Sequence, residues 1–430
     1  MSLDYKKISK ITALLVFAAI TLCGCFRRQG DPDISTFTAR MRHTTLAFGT
    51  VSVLRLYDDF SLNANAARFD RVWNETREIL GELDRVFSVS NPASDVSRFN
   101  ALSYGESIEV SVHMARVIKM AGEVHEKMGG LFDPTVFPLV DLWGFSPRFR
   151  LARFTPLFPY DRPQGRGQLP PLEYIEAFTR LVGFSGVVLG GCQASGFTLT
   201  KTTPPVLVNG VTYQAKLDLG AIVKGYAVDL VRDIMVREGF QFGFFSCGGS
   251  SIALLNGMDY MSLDEGLFQF RLRLRKPRPG QNDDSAFMTV MVSGMSLSTS
   301  GDYDHAFFVD GKRYSHIFDP RTGWPINIPS ADGVQSGIIA VTVLGENGAF
   351  VEGLSTGLLL KTLTEAIDFI NRLENHKVVL VYYKTGHEYF EIITNIPDEL
   401  ISILDPAYVM GSRLDAYGNV EYSGTLYSGA

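Results

Sequence analysis

Residues 217–229 read LDLGAIVKGYAVD and mark the passage from a strand into a helix predicted over 224–238. Asp218 ends the predicted strand, and Gly220 permits a close approach of another backbone or of a ligand. Lys224 then falls on the first turn of the helix, where unbonded N–H groups and the helix dipole favour an anion. The stretch therefore suits a diphosphate. Strand–loop–helix junctions occur in many folds, so the function of this stretch has to be judged together with the segments around it.

The segment upstream, GGLFDPTVFPLVDLWGF at 129–145, places a turn inside an apolar sequence. Asp133 and Pro134 are typical of a turn. The apolar residues around them are Leu131, Phe132, Val136, Leu139 and Trp143. One interpretation is a turn that leads into the core. The other is an aromatic wall for a planar ring, with Asp133 as its polar anchor.

The segment downstream, STSGDYDHAFFVDGKRYSHIFDPRTGWPIN at 298–327, predicts a β-hairpin that turns on Asp310-Gly311. Its polar residues include Ser300, Asp302, His316, Asp319, Arg321 and Thr322. His316 lies three residues before Asp319, so we expect the two side chains to share a polar pocket. A histidine in such a pocket suits a proton acceptor near neutral pH. The alternative is a core histidine whose hydrogen bonds are satisfied.

A further segment, VEGLSTGLLL at 351–360, belongs to a buried helix predicted over 350–374. Glu352 and Thr356 are four residues apart, so their side-chain oxygens share one face of the helix. A carboxylate, a hydroxyl and a neighbouring carbonyl form the oxygen-only site that Mg²⁺ prefers. The alternative is a helix with one buried capping threonine, and the spacing alone favours that alternative.

The composition of the whole chain excludes several classes of protein. Of the 430 residues, 46% are hydrophobic and 20% are charged, with a net charge of −6, which suits a globular protein with a large core. The absence of a basic stripe argues against nucleic-acid binding. After the N-terminus no window of 18 apolar residues follows, which excludes a polytopic membrane protein. The sequence has no P-loop motif, and Gly248-Gly249 does not fit a Rossmann glycine pattern.

The first 25 residues resemble the export signal of a bacterial lipoprotein. Three lysines within residues 6–10 precede the apolar stretch ITALLVFAAITL at 11–22, which is short for a membrane span. Leu22-Cys23-Gly24-Cys25 then resembles a lipobox, in which the signal is cleaved before the lipidated cysteine. We therefore expect a signal peptide over 1–24, lipid on Cys25, a tether over 25–44 and a location in the cell envelope, facing the periplasm. A plain membrane anchor is the alternative.

The spacing of apolar residues predicts an α+β fold without regular βαβ alternation. Helices are predicted over 66–87, 111–128, 171–182, 224–238 and 350–374. Strands are predicted over 45–57, 186–190, 205–208, 213–218, 241–255, 267–275, 286–298 and 378–383. We expect the folded body over 45–404, a surface insertion near 146–170 and a weakly ordered extension over 405–430. Cys192 and Cys247 are expected to be small buried hydrophobes rather than a disulfide.

Together, these segments resemble the ApbE family, the FAD:protein FMN transferases. The resemblance runs from Phe48 to Leu360 in the family's order. It is carried by FGT at 48–50, FSVSNPASDVSRFN at 87–100, GGLFDPTVFPLVDLWGF at 129–145, DLGAIVKGYAVD at 218–229, CGG at 247–249, SGDY at 300–303, YSHIFDPRTGWP at 314–325 and VEGLST at 351–356. It implies a single T-fold-like α+β body of mixed antiparallel sheets and helices, in an exported or lipid-anchored enzyme.

The resemblance also implies roles for individual residues. The residues that would bind FAD are Phe48, Ser90, Leu131, Phe132, Asp133, Asp218, Lys224, Ile317 and Asp319. The residues that would bind Mg²⁺ are Ala221 and Ser355, through their carbonyls, together with Glu352 and Thr356. His316 would be the base that removes the proton of the acceptor hydroxyl. The sequence departs from the family's pattern where Phe48 replaces Met, Ser90 replaces Tyr, Glu352 replaces Asp, and Ser246 and Ser250 replace Asn and Asp or Asn.

The activity implied by the resemblance is the Mg²⁺-dependent transfer of FMN from FAD to a threonine or serine hydroxyl of an acceptor protein, with release of AMP. The acceptor would be an exported or membrane-bound flavoprotein. Two alternatives remain open at this point. One is a pyrophosphatase that hydrolyses FAD to FMN and AMP, which the loss of the tyrosine at Ser90 would favour. The other is a lipoprotein that binds FAD without catalysis.

Overall fold

The computed structural model describes residues 34–411, with gaps at 46, 147–168, 263–266, 279–282, 284, 304 and 327–335, and also residues 413–414 and 420–421. The predicted signal peptide over 1–24 lies outside the described residues. So do residues 147–168 of the predicted insertion and most of the predicted extension. Within the part that the structure describes, none of the helices is long and apolar enough to cross a membrane.

The described chain contains helices of 6 to 25 residues and strands of 2 to 10 residues. The helices are α1 Asn63–Phe87, α2 Asp95–Ala101, α3 Val112–Lys127, α4 Phe137–Leu142, α5 Leu172–Thr179, α6 Val223–Arg237, α7 Gly348–Leu358 and α8 Leu363–Asn371. The first ten strands are β1 Thr38–Thr44, β2 Ser52–Asp58, β3 Ser107–Val110, β4 Val187–Cys192, β5 Gly196–Lys201, β6 Val206–Val208, β7 Val211–Tyr213, β8 Phe242–Cys247, β9 Ser251–Leu254 and β10 Tyr260–Ser262. The others are β11 Leu267–Arg275, β12 Ala286–Val292, β13 Ser296–Gly301, β14 Ala306–Val309, β15 Lys312–Ser315, β16 Ser336–Gly345, β17 Lys377–Lys384, β18 Phe390–Thr394, β19 Ile401–Ile403, β20 Tyr408–Met410, β21 Arg413–Leu414 and β22 Val420–Glu421.

A nine-stranded sheet forms the middle layer, in the order β1-β2-β8-β9-β13-β16-β17-β18-β20. Its strand pairs are antiparallel except β18 with β20, which is parallel. Because side chains alternate across a strand, β17 directs Val378 and Leu380 to the helices and Val379 and Val381 to the other face. On that other face lies a four-stranded sheet, β10-β11-β12-β19. The predicted α+β fold is confirmed, with three layers.

A separate cluster of buried side chains connects two of the motifs. Leu139 and Trp143 of the 129–145 segment pack there against Tyr314 and Phe318 of the 298–327 segment. The Trp143 ring nitrogen donates to the Gly323 carbonyl, 3.2 Å away. The predicted hairpin on Asp310-Gly311 is confirmed as β14–β15, and both turn residues have positive φ, as a tight hairpin requires.

Several predicted helices are confirmed, and one prediction is wrong in its extent. α3 begins after the capping residue Ser111 and is followed by Gly129-Gly130 with φ of +63° and +84°, which fits their role as a stop signal. The helix predicted over 350–374 is two helices. Thr362 starts the second of them in a capping box with Glu365, and this local signal overrides the continuous apolar pattern.

The edges of the body differ from the sequence predictions. β1 lies inside the predicted tether, yet its seven residues pair in register with β2. It is an edge strand with both faces largely exposed, so its polar sequence TARMRHT gave no apolar alternation. β20 lies inside the predicted extension, where Tyr408 is buried and stacks on Phe287. These corrections extend the sheet beyond both predicted ends of the body.

Other local predictions are wrong as well. The strand predicted over 45–57 begins only at Ser52, because Phe48 has a φ of +57° and turns the chain. The strand predicted over 213–218 stops at Tyr213, and no strand covers 214–218. Cys247 is buried and free as predicted, whereas Cys192 is free and exposed at the end of β4.

Candidate active site

The motif at 217–229 contains the point where helix α6 crosses close to helix α7. A Cβ at position 225 would overlap the carbonyl of Gly348, so only glycine at 225 lets α6 lie this close to the start of α7. Asp229 fixes the crossing, because its carboxylate accepts the N–H groups of Gly348 at 2.7 Å and Ala349 at 3.1 Å. The crossing brings Glu352 on α7 against the first turn of α6.

The carboxylate of Glu352 is 3% exposed and lies in a cluster of polar groups. It forms an ion pair with the Lys224 ammonium. Its Oε2 accepts the Gly225 N–H at 2.6 Å, and its Oε1 accepts the Ser251 hydroxyl at 3.2 Å. The start of α6 therefore binds an anion, as helix starts do, but this anion is Glu352 of the same chain. The sequence predicts free N–H groups at this helix start, and in this conformation the Gly225 N–H is bonded to Glu352.

The charges in this cluster shift one another's pKa values. Burial lowers the pKa of Lys224, but the charge and hydrogen bond of Glu352, helped by Asp218, outweigh burial and raise it above its usual value. Burial raises the pKa of the Cys247 thiol to about 11, against the smaller opposing effects of Ser52 and Lys224. The Lys224 side chain is thus positively charged at neutral pH, and Cys247 is a neutral thiol.

Hydroxyl groups extend the cluster along α7. The Ser300 hydroxyl lies 2.7 Å from that of Ser355 and 3.0 Å from that of Thr356. Both Ser355 and Thr356 donate to the Glu352 carbonyl, at 2.8 and 3.3 Å. The sequence motif at 298–327 includes Ser300 but does not connect it with the predicted metal ligands, because the pairing of β13 with α7 is a tertiary contact.

The donor chemistry of this cluster fits a hard cation. Oxygen atoms of Glu352 and Gly220 already surround a positive group, the Lys224 ammonium, which lies 2.7 Å from the Gly220 carbonyl. Among the residues that the structure describes, no three or more His, Cys, Asp or Glu side chains gather as they would around a metal. A cation here would therefore depend on one carboxylate and on neutral oxygens, which is the kind of site that Mg²⁺ occupies together with phosphate oxygens.

His316 is held by the backbone rather than by Asp319. Its ring Nδ1 lies 3.1 Å from the His305 carbonyl, which also accepts the His316 backbone N–H at 3.0 Å. A carbonyl only accepts hydrogen bonds, so Nδ1 carries the hydrogen of the neutral ring and Nε2 is its basic nitrogen. The Asp319 carboxylate binds Arg321 instead, through the backbone N–H and the guanidinium.

The predicted flavin residues in the 129–145 segment lie in the packed interior. Asp133 is buried; it accepts the Thr135 N–H and hydroxyl on one oxygen and the Phe184 N–H on the other. Leu131 and Phe132 are also buried. These contacts agree with the interpretation of a turn that leads into the core. A role of these residues in FAD binding stays a prediction.

The remaining predicted residues lie on turns and in irregular segments. Phe48 donates its backbone N–H to Asp84 at 3.1 Å. Ser90 is exposed, with its hydroxyl 3.2 Å from that of Ser88. The Asp218 carboxylate accepts the Gly220 N–H at 2.8 Å, which shapes the loop before α6. Their roles as FAD ligands, like those of Ile317 and Asp319, also stay predictions.

The helix crossing makes a prediction for stability. Gly225→Ala should lower the free energy of unfolding by about 1–3 kcal/mol or more, because the methyl group forces α6 away from the rigid backbone of α7. Gly81→Ala in α1 is the matched control. A Cβ at 81 meets no atom closer than 3.7 Å, so this variant should be neutral or up to about 1 kcal/mol more stable. Urea unfolding followed by circular dichroism measures the free energy of unfolding of both variants. Equal values for the two variants would contradict the requirement for glycine at 225.

Comparison with known proteins matches this body to one family. Residues 48–380 match the ApbE family. The FAD:protein FMN transferase of Vibrio cholerae is 30% identical over 286 residues, which cover 66% of this chain and 72% of the relative. The apo crystal structure of the Pseudomonas stutzeri flavinyl transferase ApbE is similar at 26% identity and a TM-score of 0.60, covering 82% of this chain and 96% of that one.

A second solved structure gives the same result. The flavin transferase ApbE from Vibrio cholerae is 26% identical with a TM-score of 0.59, covering 81% of this chain and 98% of that chain. The matched region, 48–380, contains the helix crossing, the Glu352 cluster and His316. The chain belongs to the ApbE family.

Proposed function

We propose that this chain is an enzyme that transfers FMN from FAD to a threonine or serine hydroxyl of an acceptor protein, in a Mg²⁺-dependent reaction that releases AMP. The relatives named FAD:protein FMN transferase support the reaction class. The observation that carries the proposal is the orientation of His316, because its basic Nε2 is suited to take a proton from a hydroxyl.

The transfer exchanges one bond at phosphorus for another. The oxygen of the acceptor hydroxyl forms a bond to the FMN phosphorus, and the bond from that phosphorus to the bridging oxygen of the diphosphate breaks. His316 Nε2 receives the hydroxyl proton, and AMP departs with the bridging oxygen. A hydroxyl is a weak nucleophile until its proton is removed, which gives the histidine its role.

Mg²⁺ would be held by Glu352, Thr356 and the carbonyls of Ala221 and Ser355. When bound, it would neutralise the negative charge that grows on the departing AMP phosphate. Lys224 would place a second positive charge beside the diphosphate. Asp229 and Gly225 act indirectly, because they position α7, and with it Glu352, on α6.

Hydrolysis of FAD is a second candidate because an exposed serine, Ser90, stands where the resemblance to the family expects a tyrosine. AMP release measured with and without an acceptor flavoprotein separates the candidates. A transferase should release AMP in proportion to the acceptor added. AMP release at the same rate without acceptor would indicate a hydrolase, and FAD binding with no AMP release would indicate a binding protein.

We also propose that the enzyme acts at the periplasmic side of the cell envelope, anchored by lipid on Cys25. The basic residues, the short apolar stretch and the lipobox-like ending of the sequence support this location. Cys25→Ser should abolish lipidation and release the protein from the membrane fraction. The lipid is measured by metabolic labelling, with Cys192→Ser as the control that should keep it. Unchanged labelling and fractionation of Cys25→Ser would contradict the anchor.

A further inference from the structure

The Lys224 ammonium is paired with Glu352, the carboxylate that would bind a metal ion. Lys224 and Glu352 form an ion pair between α6 and α7, and the glutamate side chain is only 3% exposed. The ammonium is also hydrogen-bonded to the Gly220 carbonyl at 2.7 Å. In this conformation the protein therefore supplies its own cation to Glu352.

A divalent ion and the ammonium compete for the same negative charge. Of the four residues proposed to hold Mg²⁺, Glu352 alone carries a charge, since the others contribute a hydroxyl and two carbonyls. Two positive groups at one buried carboxylate repel each other, and one charge cannot compensate both. Binding of Mg²⁺ at Glu352 thus requires Lys224 to move.

Lys224 lies at the start of α6, on its first turn, and 22% of its side-chain surface is exposed, so the side chain borders solvent. Its four-carbon stem is flexible. Once it leaves Glu352, the ammonium needs another anion, and the diphosphate of FAD is the anion that the proposed reaction brings to this place.

We propose that Lys224 is an internal competitor for Mg²⁺, and that it leaves Glu352 when the diphosphate of FAD receives its ammonium. This inference rests on the proposed function, because that function brings both the metal and the diphosphate. The exchange couples the two ligands. Since coupling between binding sites is reciprocal, Mg²⁺ raises the affinity for FAD by the same factor by which FAD raises the affinity for Mg²⁺.

Metal binding without flavin gives the direct test. Lys224→Met keeps the stem and removes the charge, so its affinity for Mg²⁺, measured by calorimetry at fixed pH, should be about tenfold or more above that of the unchanged protein. Lys224→Arg keeps a charge that pairs firmly with a carboxylate, so its affinity should not rise. Lys216→Met is the matched control, because Lys216 pairs with Asp141, which lies outside the proposed metal ligands. Equal or weaker binding by Lys224→Met would overturn the inference.

Folding of the variant is tested together with its metal binding. Lys224→Met leaves a buried carboxylate without its partner and should be less stable without metal. Added Mg²⁺ should then raise its melting temperature more than that of the unchanged protein. An equal or smaller rise would contradict the competition, so even a variant of low stability decides the question.

The coupling is tested with FAD itself. The affinity for FAD, measured from flavin fluorescence, should be higher in Mg²⁺ than in EDTA. The ratio of the two affinities should be larger for the unchanged protein than for Lys224→Met. Equal factors would overturn the coupling. Failure of the proposed function looks different. If Lys224→Met binds Mg²⁺ more tightly but the unchanged protein transfers no FMN, the competition is supported and the transferase is rejected.

Discussion

His316→Asn should slow FMN attachment by about 10²–10⁴-fold while leaving FAD affinity almost unchanged. The basic Nε2 is lost, whereas an asparagine can still donate a hydrogen bond to the His305 carbonyl that holds the ring. A group that acts on the proton lowers the rate of transfer at saturating FAD, whereas loss of a binding contact mainly raises the FAD concentration required. Single-turnover attachment and FAD binding are measured on the same preparation.

The competing view is that His316 is structural. Under that view His316→Asn should unfold at lower urea concentration or bind FAD poorly, and transfer should fall only in proportion. His305→Asn is the matched control, because it removes a neighbouring imidazole but keeps the carbonyl that His316 contacts. Its loss of transfer should stay below about tenfold. Normal transfer by His316→Asn at saturating FAD would rule out the histidine as the base.

Glu352→Gln should raise the Mg²⁺ concentration needed for half-maximal AMP release at least about tenfold. It should also lower the free energy of unfolding by about 3–5 kcal/mol. The amide keeps the size of the side chain, but it removes the one charge among the proposed metal ligands. It also leaves the buried end of Lys224 without a counter-ion. A Mg²⁺ titration of AMP release and a urea unfolding curve measure the two effects separately.

The matched control is Glu238→Gln, which neutralises a glutamate in an exposed pair with Arg71. Exposed ion pairs contribute about 0–1 kcal/mol, so this variant should change stability little and the Mg²⁺ titration not at all. Full activity of Glu352→Gln with an unchanged Mg²⁺ titration would reject Glu352 as a ligand. An unchanged unfolding free energy would show that Lys224 finds another partner at no cost.

The parts of the fold that local chemistry determines were predictable from the sequence. The long amphipathic helix α1 shows apolar residues such as Phe69, Leu80 and Leu83 at helical spacing, and all three are buried. The hairpin at Asp310-Gly311 follows from residues that accept positive φ. By contrast, the exposed edge strand β1 has no apolar pattern to reveal it.

The candidate site was predictable as a set of residues and not as an arrangement. Asp218, Lys224, His316 and Glu352 were singled out from motifs, but spacing along one segment does not show which groups meet across segments. The pair of Lys224 with Glu352 joins residues 128 positions apart and depends on a glycine crossing that local patterns do not encode. The bond of His316 to the His305 carbonyl, rather than to Asp319, likewise depends on the strand pairing within the hairpin.

Mass spectrometry of an acceptor flavoprotein is the sharpest test of FMN transfer by this enzyme. The acceptor, stripped of covalent flavin, is incubated with FAD, Mg²⁺ and this enzyme, and its mass and modified residue are determined. We expect an acceptor heavier by one FMN phosphoester on a threonine or serine, with AMP formed in equal amount and almost none of either with His316→Asn. An unmodified acceptor beside free FMN and AMP would contradict transfer and identify the enzyme as a hydrolase.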